Sequence, residues 1–334
     1  MSNIYDNSDI LITGGTGSFG KAVTKYILRE YDPSRLIIFS RDEYKQFKMS
    51  QEIEIKNKNK IRFFIGDVRD KDRLSRAMNN VKIVIHAAAM KHIDSAEYNP
   101  IEAIKTNIIG AENVINTAID CKVAKVLALS TDKAANPLNL YGATKLCSDK
   151  LFVAGNNLVG KGITKFSVVR YGNVLGSRGS VVELFKECVK KKKSFIPITD
   201  KTMTRFWITL EQGAEFVISC IHFMSGGEIF VPKIPSMRIV DLANFIAPGV
   251  QHKIIGIRPG EKINEVMITK DDAINTLEFS DRYIIVPQNI LKYKNKKFTL
   301  GRKSGLPVPK NFEYTSDKNS YWLDDKKLKK LLTN

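Results

Sequence analysis

The chain has 334 residues, 43% of them hydrophobic and 26% charged, with 21 Gly and 11 Pro; this is the make-up of an ordinary globular protein and excludes collagen-like, disordered and membrane-embedded classes. At roughly 100–200 residues per domain, the length points to two lobes or one large α/β unit whose core needs no disulfide. The formal net charge is +18, which admits nucleic acid, an anionic surface or a phosphorylated ligand and does not choose among them.

The first residues include Asp6 and Asp9 and no basic run ahead of the short apolar segment 10–12, so no signal peptide is expected. No apolar run approaches the ~20 residues of a spanning helix, and the expectation is a cytoplasmic protein without a membrane partner. Short β-rich runs alternate with helix-length segments: strands are expected at 10–13, 36–40, 61–65, 81–86, 125–130 and 165–170, with crossover helices such as 19–30, 100–120 and 141–158. That alternation is the pattern of an α/β fold with a doubly wound parallel sheet of Rossmann type. After Arg170, glycine-rich turns between Gly172 and Gly179, a lysine run at 190–193 and shorter elements suggest a smaller C-terminal substrate-binding lobe. The division expected is 1–172 for nucleotide binding, with the chain returning to that unit around 206–232. Residues 173–205 and 233–334 then form the second lobe, ending from 291 in an irregular basic tail and a short helix. The last 44 residues hold 12 Lys+Arg against 4 Asp+Glu, so +8 of the charge sits in this tail and reads as solvated surface rather than a nucleic-acid footprint.

The four cysteines form no CxxC pair and have no neighbouring His at ligand spacing, so neither a disulfide framework nor a zinc or other metal site is expected. His86, His92, His222 and His252 read as core or surface residues, and the absence of a GxSxG elbow argues against a serine hydrolase.

The chemistry-bearing segments sit at strand ends. The first strand runs into Thr13-Gly14-Gly15-Thr16-Gly17-Ser18-Phe19-Gly20 and a helix. Glycines at 14, 17 and 20 serve a tight turn, close backbone approach to a pyrophosphate and close helix packing, so Gly14, Thr16, Gly17, Ser18, Phe19 and Gly20 are cofactor residues. At the tip of the second strand, Ser40, Arg41 and Lys45 offer a hydroxyl and two cations to the 2′-phosphate of NADP, while Asp42 and Glu43 leave NAD open. Asp67 and Val68, after the third strand, are placed to bracket the adenine, and Ala87 in His86-Ala87-Ala88-Ala89 leaves room for a flat cofactor.

Tyr141 and Lys145 stand at i and i+4, on one helix face. A nearby ammonium favours the phenolate, which makes Tyr141 a base for an alcohol proton. Thr131-Asp132-Lys133 ends the fifth strand at the carboxyl edge where ligands sit. Thr131 is read as a hydrogen-bond donor to a reacting oxygen, Asp132 as a proton donor and Lys133 as a proton acceptor; a turn closed by a salt bridge is the alternative.

With the glycine-rich turn, the AAA segment, Ser/Thr after the fifth strand and Tyr-x-x-x-Lys in place, the chain resembles the extended short-chain dehydrogenase/reductase superfamily. Within it, Thr131-Asp132-Lys133 resembles the active-site turn of the sugar-nucleotide 4,6-dehydratases, where Thr-Asp-Glu is common. Lysine in the third place is similar to the inverting UDP-N-acetylglucosamine 4,6-dehydratases of the pseudaminic acid pathway. HAAAMKH from His86, RYGNVLGSRGSV from Arg170, MTRFWIT from Met203 and IRPGEKINE from Ile257 extend the match over nearly the whole chain.

The resemblance implies that Tyr141, with Lys145 and Thr131, takes the 4-hydroxyl proton as hydride leaves C4. Lys133 then removes the C5 proton, Asp132 protonates the departing 6-hydroxyl, hydride returns to C6, and C5 is reprotonated on its other face. A lysine base must be neutral, so the pKa of Lys133 is expected to be lowered by burial or by Lys145. The resemblance also implies UDP-N-acetylglucosamine as substrate, with Asn173, Arg205 and Arg258 at the nucleotide diphosphate, Lys91 toward the sugar, Val174 toward the nicotinamide and Tyr321 reaching in from the tail. It further implies a homo-oligomer. A UDP-sugar 4-epimerase has no use for Asp132-Lys133, and a retaining dehydratase would carry Glu at 133. An NADP-bound regulator or a nucleic-acid-binding protein is the non-enzyme alternative, against which the intact Tyr/Lys pair argues.

Overall fold

The computed structural model describes residues 3–177, 179–287, 298–301 and 303–333. Arg178 and part of the expected tail, 291–297, 302 and 334, lie outside the described residues. The alternation in the first half becomes β1 (Asp9–Thr13), α1 (Ser18–Glu30), β2 (Arg35–Ser40), α2 (Glu43–Glu52), β3 (Ile61–Ile65), α3 (Lys71–Met78), β4 (Ile83–His86), α4 (Ile93–Tyr98), α5 (Pro100–Ile104), α6 (Gly110–Asp120), β5 (Lys125–Leu129), α7 (Leu140–Leu158) and β6 (Lys165–Val169).

These six strands pair in parallel in the order β3-β2-β1-β4-β5-β6. The order reverses between β1 and β4, and in such sheets ligands bind outside the carboxyl ends at that switch point. Every residue of β1 and β4 is buried, which is why these strands read as continuous apolar runs without alternation. The fourth strand begins at Ile83 rather than 81, because Val81 N–H closes a turn onto the Met78 carbonyl. The segment expected as one helix over 100–120 is broken by a π-helical turn, Lys105–Ile109.

The chain continues through β7 (Asn173–Leu175), α8 (Val181–Lys190), β8 (Phe195–Ile198), β9 (Thr204–Thr209), α9 (Leu210–Phe223) and β10 (Ile229–Pro232). Helix α9 packs on α1, and β10 pairs in parallel with β6. Beyond β10 the main sheet gains three antiparallel strands, Arg282–Ile285, Thr276–Glu278 and Leu306–Pro307. They come from the stretch expected in the smaller lobe; runs of four, three and two residues are too short to carry a legible period. A second core gathers Val182, Phe185, Ile196, Trp207, Leu242 and Leu328, apart from the main one. All four cysteines are free. Among the described residues, no helix is long and apolar enough to cross a membrane.

His86, at the end of β4, is buried, with Nδ1 2.8 Å from Thr13 Oγ1. Burial, reinforced by Lys145, pushes its pKa down to about 3. The unfolded chain, at an ordinary pKa near 6.5, binds a proton that the folded chain refuses between those values. Stability is therefore full above about pH 6.5 and falls as pH drops, by about 2 kcal/mol at pH 5. Urea unfolding at pH 7 and pH 5 should show this slope in the parent and its loss in His86→Asn; equal slopes would refute it.

Candidate active site

The carboxyl ends of β1 to β6 open into a cleft of about 810 Å³. Its floor at β1 is the glycine loop. Gly14 has φ +64°, and a Cβ there would lie 2.8 Å from the Ala88 amide; a Cβ on Gly20 would lie 2.5 Å from the Gly15 carbonyl. Helix α1 starts behind Gly17 with no side-chain cap, leaving its first amides directed at the cleft in the manner of a phosphate site. The residues present fit a dinucleotide, and every cofactor residue expected from the sequence lines the cleft.

At the tip of β2, Arg41 is exposed and its Nη1 lies 3.5 Å from Asp67 Oδ2, while Lys45 is ion-paired with Asp42. Burial works to raise the Asp67 carboxyl, but Arg69 and Arg41 hold it below the usual range. Ser40 Oγ accepts from Gln46 Nε2 at 3.1 Å.

The acid–base residues come from two elements in close contact. Thr131 caps a single 3-10 turn, Asp132–Ala134, and α7 packs on that turn so tightly that a Cβ at Gly142 would lie 2.3 Å from the Lys133 carbonyl. This explains glycine after Tyr141. Asn139 caps α7, accepting from Gly142 N at 2.8 Å. Lys145 Nζ donates to the Leu129 carbonyl at 2.7 Å, tying the helix to the end of β5. Lys133 Nζ lies 3.1 Å from Asp132 Oδ1 and 3.0 Å from Glu265 Oε1. Asp132 is fully buried, and its Oδ2 has no partner among the described residues.

The electrostatics differ from the sequence expectation. Burial works to lower Lys133, but the Asp132 and Glu265 carboxylates more than reverse it and hold the ammonium above the ordinary lysine range. Burial pushes the Asp132 carboxyl up against the pull of Lys133. Tyr141 is raised by burial to about 12, and the cation that draws it back is Lys133, with a hydrogen bond shared with Thr131, whose own hydroxyl donates to Asp132 Oδ1 at 2.9 Å. Lys145, expected in that role, has its ammonium turned to Leu129 and is itself lowered by burial against the opposing Asp149.

Lys91 and Asn173 line the cleft, and among the described residues Asn173 Oδ1 is buried without a partner. Arg205 and Arg258, expected at the nucleotide diphosphate, and Tyr321, expected to reach in from the tail, are not among the lining residues. Arg205 is buried, with its guanidinium committed to the carbonyls of Thr204, Lys262 and Ile263 at 2.7–2.9 Å and its Nε 3.6 Å from Glu265. Arg258 lies 3.8 Å from Glu261. Tyr321 borders a second cavity, of about 1030 Å³, beside α1 and α9. Two residues escaped the sequence reading. Glu265 ends the IRPGEKINE segment, whose acid was visible but without an assigned partner. Asn107 lies in the π turn, accepting from Met90 N at 2.8 Å and donating to Thr144 Oγ1 at 3.0 Å; nothing in the local sequence marks it. Among the described residues, no group of three or more His, Cys, Asp or Glu is arranged to hold a metal ion.

Comparison with known proteins agrees with this geometry. Residues 10–287 match the family described as polysaccharide biosynthesis protein. The chain is 57% identical over 328 residues to a Campylobacter jejuni protein named UDP-N-acetylglucosamine 4,6-dehydratase (inverting), covering 97% of both chains. It is 40% identical to a Rickettsia akari protein named UDP-glucose 4-epimerase, covering 98% of this chain and 96% of that one. The X-ray structure of Pen from Bacillus thuringiensis superposes with a TM-score of 0.87 at 37% identity, over 99% of this chain and 100% of the other. Since the family match runs from the first strand through the acid–base turn to Arg282–Ile285 of the main sheet, this chain belongs to the polysaccharide biosynthesis protein family and, within it, to the group of the inverting UDP-N-acetylglucosamine 4,6-dehydratase of Campylobacter jejuni.

Proposed function

We propose that this protein is an NADP-dependent carbon–oxygen lyase that converts UDP-N-acetylglucosamine to UDP-2-acetamido-2,6-dideoxy-β-L-arabino-hexos-4-ulose, a 4,6-dehydration with inversion at C5. The observation that carries this reading is a lysine, Lys133, held beside a buried carboxyl, Asp132, on the turn that packs against Tyr141. When bound, the nicotinamide accepts hydride from C4 and returns it to C6. Tyr141 takes the 4-hydroxyl proton as its phenolate, the form that burial disfavours and the neighbouring Lys133 favours, and the resulting ketone acidifies the C5 hydrogen. Transfer of one proton from Lys133 Nζ to Asp132 Oδ1, across 3.1 Å, breaks an N–H bond, forms an O–H bond, and leaves a neutral amine and a neutral acid. The amine then removes the C5 proton, and the acid protonates the departing 6-hydroxyl. Solvent protonates C5 on the face opposite Lys133 and takes up the proton left on Tyr141, which inverts the centre and restores the starting protonation.

In this reading residues 1–172, with the return around 206–232, hold the cofactor, and the later segments hold the UDP-sugar. The enzyme is a cytoplasmic homo-oligomer with no nucleic-acid or membrane partner, feeding pseudaminic acid synthesis. Product NMR after incubation with UDP-N-acetylglucosamine in D2O tests the reaction. A 6-deoxy-4-keto sugar inverted at C5 supports it. The uninverted sugar indicates a retaining dehydratase, and the C4 epimer indicates the activity named for the 40% identical relative.

Arg41 and Lys45 are assigned to the 2′-phosphate because both line the cleft at the tip of β2. Arg41→Ala is expected to weaken NADP binding about tenfold, the loss of one charge-assisted contact worth about 1.4 kcal/mol. NAD binding should hardly change. Fluorescence titration with both cofactors checks this, and equal losses would refute the assignment.

A further inference from the structure

The IRPGEKINE segment does more than border the cleft. Asn139, the cap of α7, donates to the Gly260 carbonyl at 2.7 Å, and Lys262 Nζ donates to the Ala135 carbonyl at 2.5 Å. Glu265 is 1% exposed, and its Oε1 lies 3.0 Å from Lys133 Nζ and 3.6 Å from Arg205 Nε. The backbone that carries it is fixed on both sides. Glu265 N–H donates to Ser316 Oγ at 2.9 Å and its carbonyl accepts from Ser316 N at 2.9 Å, while Thr204 N donates to the Ile263 carbonyl at 3.0 Å.

We propose that Glu265 is a positioning residue for the acid–base turn: it holds Lys133 together with Asp132 and is itself held by Arg205, so that a segment remote in sequence governs how the Asp132–Lys133 pair carries its proton. The proposal rests on the dehydratase reading for its consequence in turnover, but not for the clamp itself. The charged or titratable groups facing the pair are Tyr141 from α7, Arg205 from β9, and Lys262 and Glu265 from the segment. Among them Glu265 is the carboxylate, and it favours the protonated form of both members of the pair.

Removing that charge therefore moves both titrations of the pair to lower pH, by about one unit or more for a charge at this distance. The test uses the full chain with lysine Nζ labelled by nitrogen-15 and the Lys133 resonance identified by its loss in Lys133→Met. In Glu265→Gln the Lys133 titration should fall by that amount, and both limbs of the pH–kcat profile should shift with it to lower pH. Unchanged titration and unchanged limbs, with only a uniformly lower kcat, would reduce Glu265 to a packing residue and overturn the proposal. Should Glu265→Gln fail to fold, Arg205→Gln reads the same clamp from its other side: loss of that cation should move the Lys133 titration upward, and an unmoved titration would overturn the proposal equally. A shifted titration in a protein that does not turn over UDP-N-acetylglucosamine would leave the clamp standing and refute the dehydratase reading.

Discussion

Lys133→Met is expected to lower kcat by about 10²–10⁴-fold, the range for loss of a general base, while leaving oxidation at C4 intact. Mixed with UDP-N-acetylglucosamine, this variant should accumulate reduced nicotinamide absorbance without releasing product, and in D2O the recovered sugar should carry no deuterium at C5. The geometry that makes the test specific is the separation of tasks: Tyr141 acts from α7, and Lys133 acts from the 3-10 turn beneath it. Removing the ammonium also removes the cation that opposes burial at the Tyr141 hydroxyl, already held up at about 12 with that cation present, so the first step should slow, though far less than the second. Full turnover with deuterium still entering C5 would show that the base lies elsewhere.

Tyr141→Phe should fail one step earlier. With no hydroxyl at that position the 4-hydroxyl proton has no acceptor, and kcat should fall by about 10²–10⁴-fold, with neither reduced cofactor nor C5 exchange detectable. The phenyl ring conserves volume, and Gly142, which makes the close contact with the turn, is untouched. Unfolding by urea should therefore be within about 1.5 kcal/mol of the parent, the worth of the one hydrogen bond lost. A Tyr141→Phe enzyme that still forms reduced cofactor at the parental rate would move the first proton transfer to another group. Together, the two variants divide the reaction into its oxidation and its elimination, which a single inactive mutant cannot do.

Much of this was legible from the chain because strand-end motifs are local. The glycines at 14, 17 and 20 announce a loop whose contacts lie within a few residues, and the Tyr141–Lys145 spacing places both on one helix face whatever the rest of the fold does. The six parallel strands were legible for the same reason, each being a buried apolar run. The misjudged features depend on tertiary partners. Arg205 and Glu265 sit 60 residues apart in sequence and meet only when β9 and the 257–265 segment fold against each other, so motif membership alone does not reveal that the Arg205 guanidinium is engaged by carbonyls of that segment. The charge state of Lys133 was misjudged because its second carboxylate partner is 132 residues away. The three short antiparallel strands that complete the sheet have no period to detect.

The π turn at Lys105–Ile109 has a consequence in helical phase. One extra residue in a turn rotates everything after it by about 100° relative to an uninterrupted helix. Without that slip, a helix burying Ala111, Val114, Ile115 and Ala118 against the sheet would swing residue 107 off the loop after β4. With it, Asn107 stays between Met90 and Thr144 while the downstream face remains in the core. The turn thus works as a phase shifter, letting one helical run answer to two neighbours whose directions differ, and a single-residue deletion within it should force a choice between the core and the cleft wall.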